Sequence, residues 1–140
     1  MASLNLIDIR KKIEDKLNTE LKTAPPVFVV FSNMDFDSKT KKEYVQCIVS
    51  FGNTTFETVG FGFGTNVLSG LVTINIYTEE GTGTNKNFQI AERIRNLFNR
   101  IEIEDVRFDP PIGPEIFTST IEGKFQTQIR ITFEVVETLP

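Results

Sequence analysis

The sequence contains no histidine and no tryptophan, and Cys47 is its only cysteine. Without histidine the chain lacks the usual general base near neutral pH, the Ser-His and Cys-His nucleophile pairs and the commonest zinc ligand. Carboxylate- or lysine-based catalysis stays open, but most hydrolytic chemistries lose their main participant. A lone cysteine excludes an intrachain disulfide and fits a reducing compartment, so we expect Cys47 to be a small hydrophobic residue in a strand.

Long apolar runs are also missing. No stretch approaches the ~18 residues of a membrane-spanning helix, and no signal-peptide pattern is visible, so we expect no membrane association. The net charge of −4 argues against a protein that clamps a nucleic-acid backbone. The 140 residues suit one domain with a real core, and we treat 1–140 as that single domain.

Two helices are predicted, because apolar residues recur at intervals of three and four. The first covers about residues 4–22 and ends before Pro25-Pro26, which cannot continue a helix. The second runs from about Lys86 to Arg100, with Asn85 or Thr84 as its N-cap. Its predicted buried stripe consists of Phe88, Ala91, Ile94, Phe98 and Ile101.

The rest of the chain predicts strands, at residues 27–31, 44–51, 55–59, 71–77, 103–108 and 125–136. A turn signal at Gly52-Asn53 predicts a hairpin between the second and third of them. In the last strand the alternating core residues are Ile129, Ile131, Phe133 and Val135. The fold class is therefore α+β, with a mainly antiparallel or mixed sheet and both helices on one face; the sheet and second helix occupy residues 27–136.

A glycine loop joins one predicted strand to the second helix and consists of Glu79, Glu80, Gly81, Thr82, Gly83 and Thr84. A phosphate-binding P-loop needs Lys and then Ser or Thr directly after its last glycine, and this loop does not provide them. A dinucleotide fingerprint needs a third glycine where Lys86 stands. The carboxylates of Glu79 and Glu80 are most simply surface charges. The loop is interpreted as a strand-to-helix connection.

The segment Gly60-Phe61-Gly62-Phe63-Gly64 alternates glycine with phenylalanine. One interpretation is a strand weakened by glycine that buries its own phenylalanines. The other is an arm that becomes ordered against a neighbouring subunit, with Phe61 and Phe63 as anchors, since aromatic residues are preferred in interfaces. Separately, Lys39 to Lys42 form a basic cluster too short for a nucleic-acid site, which could meet an acidic partner surface.

The order of these elements resembles the tail terminator (tail completion) proteins of long-tailed bacteriophages. The resemblance covers roughly Val27 to Val136. It rests on Ser69-Gly-Leu-Val-Thr-Ile-Asn-Ile-Tyr77, the Gly81-Thr-Gly-Thr84 loop, a helix that ends in Leu97-Phe98 and a long final strand. The chain departs from the family pattern at Phe31, where a tryptophan is often found, and at the start of the last strand.

The resemblance implies a structural virion protein of the tail or neck, assembled in the host cytoplasm, with no enzymatic activity and no cofactor or metal. Its implied partners are further copies of itself in a hexameric ring, the tail tube protein, and a head-tail connector or stopper protein. The ring caps the tube and ends its polymerisation, while DNA passes through without specific binding. Gly60 to Gly64 are then candidate subunit or tube contacts, and residues 79–84 a ring-face or lumen loop.

Two alternatives remain open from the sequence. The chain could be another neck or tail-tube component, since those proteins share ring-forming folds rich in β-structure. It could instead be a small nucleotide-binding enzyme that uses the Gly81–Asn85 loop.

Overall fold

A computed structural model describes residues 6–23, 25–32, 34, 36–59, 63–104, 106–119 and 121–138. Its two helices are α1 (Leu6–Leu21) and α2 (Asn85–Phe98). Its strands are β1 (Phe28–Phe31), β2 (Tyr44–Val59), β3 (Phe63–Glu79), β4 (Glu102–Ile103), β5 (Val106–Phe108), β6 (Ile112–Phe117) and β7 (Lys124–Thr138). A short 3₁₀ turn at Ser38–Thr40 begins at Asp37, whose carboxylate accepts from the Lys39 amide.

The strands form one mixed sheet in the order β1-β2-β3-β7-β5-β4, and β6 pairs with β7 beside this path. β1 runs parallel to β2, while every other pairing among the described residues is antiparallel. The α+β class predicted from the sequence is confirmed. The sheet is mixed because the chain crosses over after Phe31 and re-enters the sheet beside β1 in the same direction at Tyr44.

Both helices pack on one face of the sheet. Their apolar stripes join the inward side chains of β2, β3 and β7 in a single core. The alternation predicted for the last strand is confirmed, because Ile129, Ile131, Phe133 and Val135 are all buried. α1 is tied to α2 by Arg93, whose guanidinium donates to the carbonyls of Glu20, Thr23 and Pro25 at 2.7, 2.8 and 2.9 Å.

The predicted hairpin turn at Gly52-Asn53 is wrong. β2 continues through these residues to Val59, with a bulge between Phe51 and Thr54, and β3 begins at Phe63 rather than Leu71. A bulge adds one residue to a strand without ending it, so a Gly-Asn pair satisfies a bulge as readily as a turn. The result is one hairpin of 16- and 17-residue strands.

The strand predicted at residues 103–108 is divided in two. Glu104 has a positive φ of 53°, and β4 turns there to pair antiparallel with β5. β6 was not predicted at all, because Asp109-Pro110-Pro111 and Pro114 are typical of loops. β6 is nevertheless an edge strand, where a proline that donates no hydrogen bond is tolerated.

The buried stripe predicted for α2 is confirmed at Ala91, Ile94 and Phe98 and is wrong at Phe88. Phe88 is 39% exposed, and Asn87 beside it is fully buried. The Asn87 amide donates to the Ile76 carbonyl at 3.1 Å and to Thr78 Oγ1 at 3.3 Å, and its oxygen accepts from the Thr127 hydroxyl. Thr84 occupies the N-cap position, but its side chain makes no capping hydrogen bond.

Candidate interaction surfaces

The long β2–β3 hairpin extends beyond the helix-covered core. Among the side chains that the structure describes, Leu68 is the buried hydrophobic residue of β3 nearest the hairpin tip, and from there the strands pair on to Val59 and Phe63. β7 accompanies β3 as far as Thr65. We call residues 54–67, as far as they are described, the arm. At about 3.3 Å per residue, its β2 strand adds roughly 17 Å to the sheet.

The Gly-Phe segment lies at the end of the arm. The structure places Phe63 and Gly64 at the start of β3, paired with Val59 and Thr58. Gly60, Phe61 and Gly62 lie outside the described residues. The pairing of Val59 with Phe63 shows that the segment follows β2 directly and begins β3. The assignment of these residues as subunit contacts stays a prediction.

The glycine loop lies at the other end of β3. Gly81 and Gly83 have φ angles of 85° and 87°, in the left-handed region that favours glycine. The Thr82 hydroxyl donates to the Glu79 carbonyl at 2.8 Å, and the Glu80 amide donates to the Gly123 carbonyl at 3.0 Å. The loop is therefore a defined double turn held to the start of β7.

The loop has little capacity to bind a phosphate. Lys86, the nearest cation in α2, forms a 2.6 Å ion pair with Glu43. Glu79 and Glu80 precede the two glycines directly and would repel an anion. Residues 80–84 are all exposed, so the loop lies on the surface. Contact with another protein suits this loop better than nucleotide binding.

The two groups of site residues predicted from the sequence are thus far apart. β3 has 17 residues and connects one group to the other, so they are separated by about 50 Å at 3.3 Å per residue. No single ligand can touch both. They lie at opposite ends of the molecule along the strand direction, which suits contacts with two different neighbours.

The sheet face opposite the helices carries a row of amide side chains that the sequence analysis did not select. Gln46, Asn75 and Gln128 are register partners on three adjacent strands. Asn75 donates to Gln46 Oε1 at 3.0 Å, and its own oxygen accepts from Gln126 and Gln128 at 3.0 and 2.9 Å. Glutamines at alternate positions of the last strand were the available signal. This amide row gives the face an uncharged, hydrogen-bonded centre.

Aromatic residues cover the glycine-loop end of the same face. Phe28, Phe36, Tyr44 and Tyr77 follow one another with ring centroids 5.4, 4.7 and 4.7 Å apart. Burial raises the pKa of the Tyr44 phenol to about 12 and also raises the pKa of Tyr77. Both tyrosines therefore stay neutral at physiological pH, and they act as packing residues.

The described residues contain no group of three or more potential metal ligands. Burial, followed by the charge of Glu14, raises the pKa of the Cys47 thiol to about 12, so this cysteine is not a nucleophile at neutral pH. Glu102 and Glu104 are surface residues that pair with Arg107 and Lys12 at 3.5 and 2.8 Å. Within the part of the chain that the structure covers, no helix is long and apolar enough to cross a membrane.

Comparison with known proteins adds a family and a fold. The sequence matches the family model described as phage tail terminator protein over residues 8–109, from the first turn of α1 to the end of β5. A solved structure with 18% sequence identity superposes with a TM-score of 0.68 over 94% of this chain and 95% of that chain. At this identity it shows the fold alone. The search among curated proteins finds no match.

Proposed function

Because the chain belongs to the phage tail terminator family, a family of structural virion proteins of the tail, we propose that it forms a ring that caps the tail tube, ends its polymerisation and provides the surface for a head-tail connector. The ring is a homo-oligomer, and a hexamer is the expected form. No catalytic step is part of this function. The family match over residues 8–109 is the observation that carries the proposal.

The position of the two candidate contact regions supports a protein that joins two structures. The arm and the glycine loop lie at opposite ends of β3. In a ring whose strands run along its axis, the arm lies on one face of the ring and the glycine loop on the other. A cap needs this two-sided character, because one ring face meets the tube and the other meets the head.

We assign the arm to the tail tube. Beyond Thr65 the arm has only two strands among the described residues, so the outer edges of both can accept further pairing. Extended edges bind partner strands through main-chain hydrogen bonds. The glycine loop, a short and acidic turn, is then the surface that faces the connector.

The charge of the chain suits a channel for DNA. The net charge is −4, and the amide row on the open sheet face is uncharged. A surface without clustered cations does not gain the counterion release that holds phosphate backbones. DNA therefore passes such a surface without being held.

The test is a tube-length assay. Purified chain is added to polymerising tail tube protein, and tube lengths are measured by negative-stain electron microscopy. We expect short tubes with a ring at one end, in proportion to the chain added. Unchanged tube lengths would overturn the capping function. Long tubes made by this chain alone would identify it as a tube component instead.

An arm-shortened variant tests whether the arm makes the contact with the tail tube. Residues 56–66 are replaced by Asn-Gly, which closes the Thr55–Val67 pair with a two-residue turn. We expect a folded protein that no longer limits tube length. The control is the double substitution Glu79→Gln and Glu80→Gln at the opposite end, which should cap tubes normally. Normal capping by the arm-shortened variant would remove the arm from the tube contact.

A further inference from the structure

The edge strands β1 and β6 lie on opposite sides of the sheet and border the same register rows of residues. One register row runs through Phe28, Tyr44, Tyr77, Gln126 and Phe117. The next row runs from Val29 to Ile116, and the one after it from Val30 to Glu115. β1 and β6 therefore flank the same rows of the sheet, one on each side.

The directions of these edge strands are opposite. β1 is parallel to β2, β2 and β7 are each antiparallel to β3, and β6 is antiparallel to β7. β1 therefore runs against β6. A second copy placed beside the first in the same orientation brings its β6 next to β1 in antiparallel fashion. This is the geometry that continues a sheet from one subunit into the next.

The side chains match this arrangement on both faces of the sheet. β6 exposes apolar residues on either side, with Ile116 62% and Phe117 38% exposed. Ile116 shares the helix-covered face with Val29, and Phe117 shares the open face with Phe28, because register partners point the same way. When Phe117 stands opposite Phe28, Ile116 consequently stands opposite Val29.

Each face of β1 borders a depression that such a strand can fill. On the helix side, a groove of about 500 Å³ lies between β1 and the end of α1, lined by Leu21, Pro26 and Val29 among others. On the open side, a cavity of about 460 Å³ is lined by Val30, Met34 and Phe36 among others. In an antiparallel β6–β1 pair, Ile116 lies on the side of the first depression and Phe117 on the side of the second.

The outer edge of β1 also has a backbone position available. The Val27 amide donates to the Leu21 carbonyl at 2.7 Å, and the Phe31 amide donates to the Met34 sulfur at 3.3 Å. Both amides therefore point away from β2, and Val29 between them points the same way. Sulfur is a weak acceptor, which an incoming strand carbonyl can replace at Phe31.

The exposed charges beside the two edges differ. Exposed lysines surround the β1 groove, including Lys41 and Lys42. On the β6 side, Glu115 in the strand is paired with Arg130 at 2.7 Å, and Glu122 in the turn that follows is exposed. Exposed Lys41 and Lys42 beside one edge and exposed Glu122 beside the other favour a β1–β6 contact over a β1–β1 or β6–β6 contact.

We propose that β6 of one copy pairs antiparallel with β1 of the next, with Ile116 in the groove beside α1 and Phe117 beside Phe28, and that this head-to-tail contact builds the ring. The inference rests on the proposed function, since it names the surface through which the ring closes. A head-to-tail contact uses two different patches, so it repeats around a circle and does not stop at a dimer.

The first experiment uses one charged substitution on each edge. Phe28→Glu alters β1 and Ile116→Glu alters β6. The matched controls are Phe88→Glu and Ile7→Glu, because Phe88 is 39% exposed against 41% for Phe28, and Ile7 is 66% exposed against 62% for Ile116. Mass is measured by sedimentation and light scattering. We expect both edge variants to be monomers, and both controls to form rings like the unaltered chain.

Mixing the two edge variants gives the sharper result. Each retains one intact edge, so an equimolar mixture should form one-to-one dimers that cannot grow into rings. Rings formed by either edge variant alone would overturn the proposed contact while leaving the ring itself in place. A dimer formed by one edge variant alone would show a two-fold contact and would overturn it as well.

A cross-linking experiment tests the contact when the unaltered chain is a monomer in solution. Cys47 is buried, so single cysteines introduced by Lys41→Cys and Thr118→Cys are the reactive thiols in the described part of each chain. With a short bis-maleimide at high protein concentration, we expect links between the two variants when mixed and few within either. Equal linking to an Asn96→Cys control on α2 would overturn the contact. A chain that stays monomeric yet gives the specific link contradicts a stable ring and supports the edge contact.

Discussion

Single residues decide where α2 faces the sheet. Asn87 is fully buried, and its amide group satisfies a β3 carbonyl and two threonine hydroxyls. A hydrophobic pattern favours Phe88 for this position, because apolar residues are expected to face the core. The hydrogen bonds of Asn87 place this residue in the core instead, because buried polar groups without partners are costly.

The substitution Asn87→Ala should therefore lower the free energy of unfolding by about 2–3 kcal/mol, because it removes a donor from the Ile76 carbonyl and the acceptor of the Thr127 hydroxyl in the core. Urea unfolding followed by circular dichroism measures the change. Asn96→Ala, at an exposed position of the same helix, should change stability by less than about 0.5 kcal/mol. Equal effects of the two substitutions would contradict a role for the buried network.

Gly70 is required for space. A Cβ atom built there would lie 2.1 Å from Cζ of Phe133, whose ring is buried against Phe51 and Phe108. Gly70→Ala should cost about 2–3 kcal/mol, because the ring has to move within a packed core. Gly52→Ala is the matched control, since its Cβ would meet only the Ser69 carbonyl at 3.4 Å. Adding Phe133→Leu to Gly70→Ala should recover part of the loss, and no recovery would point to another cause.

At the scale of elements, the helices depend on one another as well as on the sheet. The last carbonyls of α1 and the following turn have no intrahelical donors, and Arg93 of α2 supplies three hydrogen bonds to this region. A sequence pattern identifies α1 but not this contact, because the two residue groups are about 70 positions apart.

Arg93→Ala should lower the free energy of unfolding by about 2 kcal/mol and should speed amide exchange at the end of α1. Arg93→Lys should retain only part of the effect, because an ammonium group cannot reach three carbonyls with the planar fork of a guanidinium. Glu92→Ala, exposed on the same helix, serves as the control. Unchanged exchange at residues 18–23 in Arg93→Ala would show that the contact does not hold α1.

At the scale of the whole molecule, the core closes completely around the only cysteine. Cys47 has no exposed surface, and burial raises the pKa of its thiol to about 12. The raised pKa means that the folded state holds the proton more tightly than the unfolded state does. This contribution to stability is complete below the unfolded pKa and is lost as the pH rises through the folded one.

Native chain at pH 8 should therefore resist thiol reagents, and modification of Cys47 should follow the rate of unfolding. The release of thionitrobenzoate from an aromatic disulfide reagent measures it, with urea-unfolded chain as the reactive control. The arm-shortened variant should be equally protected, because the arm lies outside the core. Fast labelling of the native chain would contradict a closed core.

Sequence patterns established the fold class, both helices, the inward face of β7, and the resemblance that the family match confirms. These follow from periodicity, which short-range physics imposes on each element separately. Strand pairing in three dimensions placed Gly52-Asn53 within β2, divided the strand predicted at residues 103–108 at Glu104, and made β6 an edge strand. Strand pairing depends on which segments, distant in the sequence, lie beside each strand. Residues that are typical of a turn, such as Gly52-Asn53, can therefore lie in a bulge within a continuous strand. The same pairing separates the arm from the glycine loop by about 50 Å along β3. It also places β1 and β6 beside the same register rows, because the register of five strands fixes which residues lie at each edge.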